Sequence, residues 1–467
     1  METFSFNGID ASTGEYFFPE VSAERVCRIA RGERVNREHE EDLEWWARHN
    51  EEGLGTAEGI DPMNLAEAGW GVIFARDADP AVREALGELF DYRKSQATEK
   101  SECYYQEYSG SERGYAHGQS KIGFLSQYGA AFSPADPEYV PYYLLIVGDP
   151  EAIPYSFQYQ LDVQYAVGRI HFQTPDEYAN YARSVVAAER GGVAGPRRAV
   201  FFGVDHDRVT RLSARDLVEP LAERLAEARR DWEIQTLTGA EATKGQLAHL
   251  LGGDDTPALL FTASHGLAFR RGDPRQMERQ GALICQDWAG PGSGPVGPEH
   301  CFAADDLPED ARLRGLIAFH FACFSAGTPQ VDNFSFQSES SPEPLAPAAF
   351  VSRLPQRMLG RPDGALAVIG HVERAWGCSF KWPGAGRQIE VFRSVMERLT
   401  KGCPVGAAVE YINARYAELS TALTHLMTEE RENGYVSRPE ELSNLWIANN
   451  DARGYVVVGD PAVRLAV

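Results

Sequence analysis

The sequence predicts an α/β fold in which a mostly parallel sheet is flanked by helices. Short apolar runs, each long enough for one buried strand, alternate along the chain with longer amphipathic segments of helical period. Such alternation is typical of a parallel sheet with helices on both faces. The chain has 467 residues, of which 43% are hydrophobic, so it can bury a sizeable core over about two or three structural units.

The first α/β unit is predicted over residues 65–192, after a polar and acidic arm over residues 1–64. The arm carries no chemistry of its own, and we expect it to pack against the rest of the chain or to make a regulatory contact. The predicted arm helix covers 37–49, the predicted strands of the first unit cover 70–75, 142–147 and 165–172, and its predicted helices cover 80–93 and 177–190.

The second unit is predicted over residues 197–467, after a glycine- and proline-containing link at 191–196. Two tracts within it, 290–298 and 332–347, lack helix and strand signals, and long irregular loops in a compact domain tend to be functional or mobile. The predicted strands cover 199–203, 232–237, 258–265, 316–323, 364–370 and 455–461, and the predicted helices cover 212–230, 243–251, 388–400 and 404–420.

The composition argues against several classes of protein. The net charge is −23 at pH 7, which disfavours nucleic acid and anionic membranes as partners. No segment approaches the ~20 apolar residues of a membrane span, and the first residues lack the basic and apolar regions of a secretory signal. The seven cysteines are scattered without a CxxC pair, so neither a disulfide framework nor a zinc site is indicated. We therefore expect a cytoplasmic protein with no metal and no cofactor.

His265 and Cys323 are the candidate catalytic residues, because each closes a strand-like run and is followed closely by small residues. In open α/β sheets the ligand crevice lies at the carboxyl ends of the strands. A thiol and an imidazole there would supply the nucleophile and the base of a cysteine peptidase. Gly266 can bring its backbone N–H close, and with the N–H of Cys323 it would form an oxyanion hole. A buried Cys or His taken alone is more often structural, but the two motifs in this order favour catalysis.

Three further sequence features bear on this chemistry. A helix starting at Ser325 would help to stabilise a thiolate at Cys323 through its dipole. His320 is an alternative base, but residues three apart in a strand point to opposite faces, so it is the weaker candidate. Ser264 suggests a serine hydrolase, yet it lacks the G-x-S-x-G context of such enzymes.

Four motifs carry a resemblance to clan CD cysteine peptidases, the group of caspases, gingipains, separase and bacterial CHAT proteases. The motifs are 262–266 (Thr-Ala-Ser-His-Gly), 321–327 (Phe-Ala-Cys-Phe-Ser-Ala-Gly), 142–154 (with Leu-Leu-Ile-Val-Gly-Asp-Pro) and 455–461 (with Val-Gly-Asp-Pro). The caspase string Gln-Ala-Cys-x-Gly is absent, so the chain resembles a gingipain-like or CHAT-like branch more than a true caspase. The resemblance implies a caspase-like sheet over 197–467, preceded by a smaller gingipain-like α/β subdomain over 65–192.

The resemblance also suggests substrate-binding residues. Asp162 lies in a segment similar to one that carries an acidic specificity residue in gingipain-like enzymes, and a carboxylate in a narrow pocket would select Arg or Lys. A surface Asp that caps a loop is an equally good interpretation. Glu373 is a second candidate for the acidic pocket. Trp376 would form a wall of the cleft, although a core Trp is also a good interpretation.

Together these features predict a caspase-like cysteine endopeptidase that cleaves a limited set of proteins inside the cell. A cytosolic protease must be restrained, so we expect an activating protease or a regulator protein as a partner, with any processing at 270–279 rather than at 332–347. Two other functions fit the same residues: a catalytically silent interaction or signalling module with this fold, and an acyl transferase or ligase that uses the same dyad.

Overall fold

The computed structural model describes residues 3–4, 8–17, 21–31, 55–191, 195–253, 255–332, 344–433 and 437–467. The helix predicted at 37–49 lies outside the described residues, as do most of the tract 332–347 and part of the link 191–196. Within the described chain, one large cluster of buried apolar side chains extends from Leu65 to Leu465 and draws on both predicted units.

A ten-stranded sheet forms the centre of the fold. Its strands are β1 Trp70–Phe74, β2 Tyr105–Tyr108, β3 Tyr143–Val147, β4 Ala166–Ile170, β5 Arg198–Gly203, β6 Glu233–Thr238, β7 Leu259–Ala263, β8 Ile317–Phe321, β9 Ala367–His371 and β10 Tyr455–Gly459. Their order across the sheet is β2-β1-β3-β4-β10-β9-β8-β7-β5-β6. Eight of the nine strand pairs of this sheet are parallel, and the pair β9–β10 is antiparallel. The predicted α/β class with a mostly parallel sheet is confirmed.

The sheet consists of two parallel blocks that run in opposite directions. The first predicted unit supplies β1 to β4, and the second supplies β5 to β9. The last strand, β10, joins the blocks because it is parallel to β4 and antiparallel to β9. The division of the chain near residues 192–197 stays a prediction, since both units contribute to one sheet.

Helices connect and flank the strands. The helix Pro175–Glu189 shows how the local sequence determines where a helix begins: Thr174 and Glu177 form a capping box around Pro175, which occupies the first turn. The helices are α1 Ala23–Ala30, α2 Leu65–Ala68, α3 Pro80–Ala85, α4 Gly87–Ala97, α5 Gly110–Arg113, α6 Lys121–Gln127, α7 Tyr155–Asp162, α8 Pro175–Glu189, α9 Arg208–Ser213, α10 Glu219–Ala228, α11 Lys244–Leu250, α12 Gln276–Arg279, α13 Arg353–Leu359, α14 Glu390–Thr400, α15 Val405–Ala408, α16 Glu410–Asn433 and α17 Pro439–Arg453.

A second, small sheet lies next to the carboxyl end of β7. It has four short strands in the order 301–302, 283–284, 266–268 and 8–10, and we call it the small sheet. Its strand Gly266–Ala268 begins three residues after β7 ends, and its outermost strand, Gly8–Asp10, comes from the N-terminal arm. The arm therefore packs against the second predicted unit.

The Gly-Asp-Pro motif at 459–461 follows the carboxyl end of β10. Because β10 runs antiparallel to β9, the motif lies at the end of the central strands opposite to the carboxyl ends of β7 and β8. The fully buried carboxylate of Asp460 accepts hydrogen bonds from Trp70 Nε1 at 2.9 Å and from Arg93 Nε at 2.6 Å. Arg93 also donates to Glu189 through two nitrogens, each at 2.7 Å. This motif is structural, because its buried charges are fully paired with one another and it lies at the far end of the strands from the dyad.

Candidate active site

His265 and Cys323 follow the carboxyl ends of two neighbouring parallel strands. In the register of β7 and β8, Ala263 lies opposite Phe321. The N–H of Ser264 donates to the carbonyl of Phe321 at 3.2 Å, which extends this pairing by one residue. Both candidate residues stand two positions beyond the last strand pair, so the fold brings them side by side at one edge of the sheet.

Gly266 contacts the backbone of Cys323 so closely that no larger residue fits. A Cβ atom placed on Gly266 would lie 1.8 Å from the carbonyl oxygen of Cys323 and 3.0 Å from its nitrogen. A side chain there would force the two backbones apart, which explains the need for glycine. The structure thus brings together the two residues predicted to form an oxyanion hole, and that role stays a prediction.

The thiol of Cys323 accepts a backbone hydrogen bond from the segment that follows β9. The N–H of Ala375 lies 3.3 Å from Cys323 Sγ. No helix starts at Ser325, so the helix dipole considered from the sequence is not available: the chain turns through Phe324, whose φ is 58°, and then forms the strand Gly327–Thr328. The N–H of Ala375 takes the place of the expected helix dipole as a donor near the sulfur.

Two strained turns face each other beside the sulfur. Phe324 and Glu373 have φ angles of 58° and 83°, in the left-handed region that non-glycine residues rarely adopt. Among the other described non-glycine residues, only Asp363 has a positive φ. The N–H of Phe324 donates to the carbonyl of Glu373 at 2.7 Å, so the two turns are joined. Backbone strain of this kind clusters at functional sites, and its position here supports a functional role for this edge.

The imidazole of His265 is held by a carboxylate that the sequence analysis missed. His265 Nε2 lies 2.9 Å from Asp207 Oδ2. The other oxygen of Asp207 accepts hydrogen bonds from the N–H groups of Val209 and Thr210, because Asp207 is the N-cap of α9. Burial alone would raise the pKa of Asp207, but the hydrogen bond and charge of His265, with the hydroxyl of Tyr16, hold the pKa of this carboxyl well below its usual range. The carboxylate therefore stays ionised beside the imidazole.

Two aromatic rings enclose the same imidazole. Tyr16 from the N-terminal arm meets His265 edge-on at 5.9 Å between ring centroids, and its hydroxyl donates to Asp207 Oδ2. His206 stacks nearly parallel to His265 at 6.3 Å. Burial, with a further contribution from His265, lowers the pKa of His206 to about 4. His206 is therefore neutral near pH 7 and supports the ring of His265 by packing.

The two alternative catalytic residues are engaged elsewhere. His320 lies inside the sheet, where its Nδ1 is 2.8 Å from the Oγ1 of Thr262. The hydroxyl of Ser264 donates to the carbonyl of His265 at 3.1 Å. Both contacts are structural, and neither residue competes with His265 for the thiol.

Comparison with known proteins identifies the fold. No family model matches the sequence, and no curated protein matches it. The crystal structure of the Arg-specific cysteine proteinase gingipain R is 11% identical, with a TM-score of 0.50 over 88% of this chain and 80% of that one. The chain has a gingipain-like fold. The fold expected from the four sequence motifs is therefore confirmed.

Two other solved structures are similar. A structure described only as a protease is 12% identical, with a TM-score of 0.48 over 87% of this chain and 80% of that one. The complex of the pro- and mature domains of RgpB from Porphyromonas gingivalis is 10% identical, with a TM-score of 0.47 over 85% and 80%. At these identities the likeness concerns the gingipain-like fold alone.

Asp162 lies at the same end of the central strands as His265 and Cys323. It ends α7, four residues before β4, which runs parallel to β10. Since Tyr455 at the start of β10 pairs with His371 at the end of β9, the amino end of β4 shares an edge with the carboxyl ends of β8 and β9. Burial raises the pKa of Asp162 well above its usual range, although Arg169 and the N–H of Val167 oppose that shift. Burial thus makes this carboxyl harder to ionise than a carboxyl in water.

Glu373 lies directly beside the Cys323 turn, but its carboxylate already has a cationic partner. The guanidinium of Arg374 pairs with Glu373 and with Asp332, the latter at 2.8 Å. Arg374 is buried and lies close enough to Cys323 to interact with it electrostatically. Glu373 also interacts electrostatically with Tyr159, which lies one helical turn before Asp162. The two predicted acidic residues thus share one edge, and Glu373 is the one that is already paired.

Trp376 is a packed residue beneath the N-terminal arm. Its backbone N–H donates to the buried carboxylate of Asp451 at 2.9 Å. Its side chain belongs to a cluster with Val26 and Cys27 of α1 and Trp446 of α17. Its predicted role as a cleft wall stays a prediction, because α1 covers it here.

No group of three or more His, Cys, Asp or Glu side chains within the described ranges could hold a metal ion. None of the helices in this part of the chain is both long enough and apolar enough to cross a membrane.

Proposed function

We propose that this chain is a cysteine endopeptidase in which Cys323 is the nucleophile and His265 the general acid and base. One observation carries the proposal: thiol and imidazole stand on adjacent strand ends while Asp207 holds His265 Nε2 at 2.9 Å. This is the arrangement of a nucleophile, a base and a group that orients the base. The gingipain-like fold supports it without proving activity.

The proposed reaction follows from these positions. His265 takes the thiol proton of Cys323 as Sγ attacks the scissile carbonyl, and the N–H groups of Gly266 and Cys323 receive the oxyanion. The C–N bond then breaks, and the leaving amine takes that proton from His265. Water, deprotonated by His265, attacks the thioester, the C–S bond breaks, and the proton returns to Cys323 Sγ as the second product leaves. Because Asp207 occupies Nε2, Nδ1 is the nitrogen that exchanges protons with the substrate and water.

For specificity we propose cleavage after Arg or Lys, with Asp162 as the acidic residue of the pocket. Asp162 is favoured over Glu373 because Glu373 already has Arg374 as its cationic partner. A buried carboxyl with a raised pKa would ionise when a substrate cation enters. The charge-assisted pair would then bind a basic side chain more tightly than a neutral one. A preference for acidic substrates would instead assign the pocket to Arg374.

We also propose that the enzyme acts in the cytoplasm on a few protein substrates and is kept under activation control by a protease or regulator. The burial of both dyad side chains supports such control, since each is 0% exposed and a substrate must gain access to them. The silent module and the acyl transferase remain the alternatives, and product analysis separates them.

The experiment is cleavage of a peptide library that varies the residue on the amino side of the scissile bond. Cys323→Ala and His265→Ala should each abolish cleavage in a protein that still folds, because nucleophile and base act as one unit. Cys103→Ala, which removes a half-buried cysteine in the first unit, is the matched control and should cleave normally. Cleavage by purified Cys323→Ala would contradict the mechanism. Mass spectrometry of the products, with an added amine as an acceptor, distinguishes hydrolysis from transfer.

A further inference from the structure

The N-terminal arm forms a hairpin that lies on the proposed active site. Residues 8–17 fold back on themselves through the bridge between Ile9 and Tyr16 and the hydrogen bond from the N–H of Asp10 to the carbonyl of Glu15 at 2.9 Å. The strand Gly8–Asp10 adds in parallel to Gly266–Ala268, immediately after the catalytic His. Addition of a strand to a sheet edge is a common way to bind a peptide.

This hairpin contacts every part of the proposed catalytic group. A Cβ atom on Gly8 would lie 3.9 Å from Cys323 Sγ, so the arm backbone lies against the sulfur. The hydroxyl of Tyr16 donates to Asp207, and its ring meets His265. The ring of Phe17 meets that of Phe324, next to the nucleophile, at 6.5 Å. With the hairpin in place, both dyad side chains are fully buried.

A second part of the arm is fixed at a separate place. Helix α1 packs against α16 and α17 through Val26 and other apolar side chains, and this cluster includes Trp376. Ser443 of α17 donates to the carbonyl of Ala23. Arg31, just after α1, pairs with Glu430 through two hydrogen bonds of 2.9 Å. The arm is therefore attached at two points, one on the dyad and one on helices α16 and α17.

We propose that the described arm residues 8–17 and 21–31 act together as a built-in inhibitor of the site, with hairpin 8–17 as the plug and α1 as its latch. This inference rests on the proposed function. The plug occupies the space beside the sulfur that a scissile carbonyl must reach. Residues 8–17 contain no Lys or Arg, so an enzyme specific for basic residues could not remove the plug by cutting within it. Activity then requires release of the latch, by a partner or by processing elsewhere in the chain.

The test measures access to the thiol separately from peptidase activity. In the full chain, Val26→Asp places a charge in the latch cluster, and Ile9→Asp places one where the hairpin packs on the small sheet. Iodoacetamide labelling of Cys323 is followed by mass spectrometry, with half-buried Cys103 as the internal reference. Glu24→Gln on the exposed face of α1 is the matched control. Since reactivity scales with the fraction of open molecules, both arm variants should label Cys323 at least about tenfold faster, and the control should not.

A cross-link guards against variants that merely loosen the fold. Ile9 and Leu267 pair in register, so Ile9→Cys with Leu267→Cys can be oxidised to fix the plug. Added to Val26→Asp, the oxidised cross-link should return Cys323 labelling to the unmutated rate, and reduction should restore fast labelling. Fast labelling of the cross-linked protein, or equal labelling of the unmutated chain and both arm variants, would overturn the inference. Faster labelling without any peptide cleavage would support the plug and count against the proposed peptidase.

Discussion

Two carboxylates at opposite ends of the central strands show how similar parts acquire different roles. Asp460 is fully buried, and its partners Arg93 and Trp70 are buried groups that keep their protonation near neutral pH. Asp207 is 13% exposed, and its partner is the imidazole of His265. The first carboxylate fixes a structure, and in the proposed mechanism the second orients a base beside a thiol. The chemistry of the partner distinguishes the two ends.

The backbone differs between the two ends in the same sense. At the Gly-Asp-Pro end the left-handed angle falls on a glycine, Gly459, with φ of 138°. At the dyad end it falls on Phe324 and Glu373, for which it is costly. One end is relaxed and fully paired, whereas the other holds strain next to a reactive group. Substitutions at the first should therefore act on stability, and substitutions at the second on activity.

The largest expected effect is on activity, from Asp207→Asn. Asn is as good an N-cap as Asp, so α9 should keep its start, but a neutral amide no longer stabilises an imidazolium. We expect kcat/KM to fall by about 10² to 10⁴ in a protein that still folds, with a melting temperature lowered by the lost contact to His265. Steady-state kinetics and thermal unfolding measure the two quantities under conditions in which the unmutated chain is active. Unchanged kcat/KM would remove Asp207 from the mechanism.

The second expected effect is a loss of stability in Asp460→Ala. Removing one partner leaves Arg93 buried with Glu189 alone, and breaking a buried pair costs about 3–5 kcal/mol of unfolding free energy. Denaturant unfolding measures this cost. The matched control is Asp231→Ala, which removes the surface pairs with Arg197 and Arg229 and should leave the unfolding free energy nearly unchanged. Equal losses in the two variants would show that the closing motif is not a structural anchor.

The third expected effect concerns Gly266→Ala. The new Cβ would lie 1.8 Å from the carbonyl oxygen of Cys323, so the two backbones must separate and the predicted oxyanion donors with them. Loss of one such donor costs about 10² to 10³ in kcat. Gly245→Ala in α11 is the control, because its Cβ would meet only Thr243 at 3.9 Å. Full activity in Gly266→Ala would mean that the oxyanion is held elsewhere.

Much of the central sheet could be predicted from the sequence, because buried strands are continuous apolar runs. The runs around β3, β7 and β8 consist almost wholly of such residues, and the structure places strands there. Strand β2 was missed, since Tyr105–Tyr108 has the polar sequence Tyr-Gln-Glu-Tyr of a partly exposed edge strand. Helix α17 was missed as well. The polar sequence of Pro439–Arg453 gives no clear apolar stripe, although much of the helix is buried.

The site was predictable only where it follows strands. His265 and Cys323 end apolar runs, which gave a reason to place them together. Asp207 also follows a strand, β5, but an Asp that begins a helix is usually a cap, and here it is both a cap and a partner of His265. The pairing of Gly8 with Gly266 joins residues far apart in the sequence, and no local pattern indicates such a contact. A helix at Ser325, which the sequence left open, does not form because pairing with Phe350–Val351 extends the chain instead.

The smallest expected effect separates Asp162 from Asp207 by the sign of a pH dependence. The pKa of Asp162 is raised in the folded protein. Above about pH 4 the carboxyl of the unfolded chain ionises readily, whereas ionisation of the buried carboxyl is unfavourable, so the contribution of Asp162 to stability falls as the pH rises. Asp162→Asn should therefore gain stability relative to the unmutated chain as the pH rises. The pKa of Asp207 is lowered, so its contribution is present above about pH 4 and is lost as the pH falls, and the deficit of Asp207→Asn should grow as the pH rises. Denaturant unfolding of both variants across the acidic to neutral range measures the two slopes. Slopes of the same sign would show that Asp162 is already ionised in the free protein, and the proposed pocket would then attract a basic side chain without the protonation change inferred here.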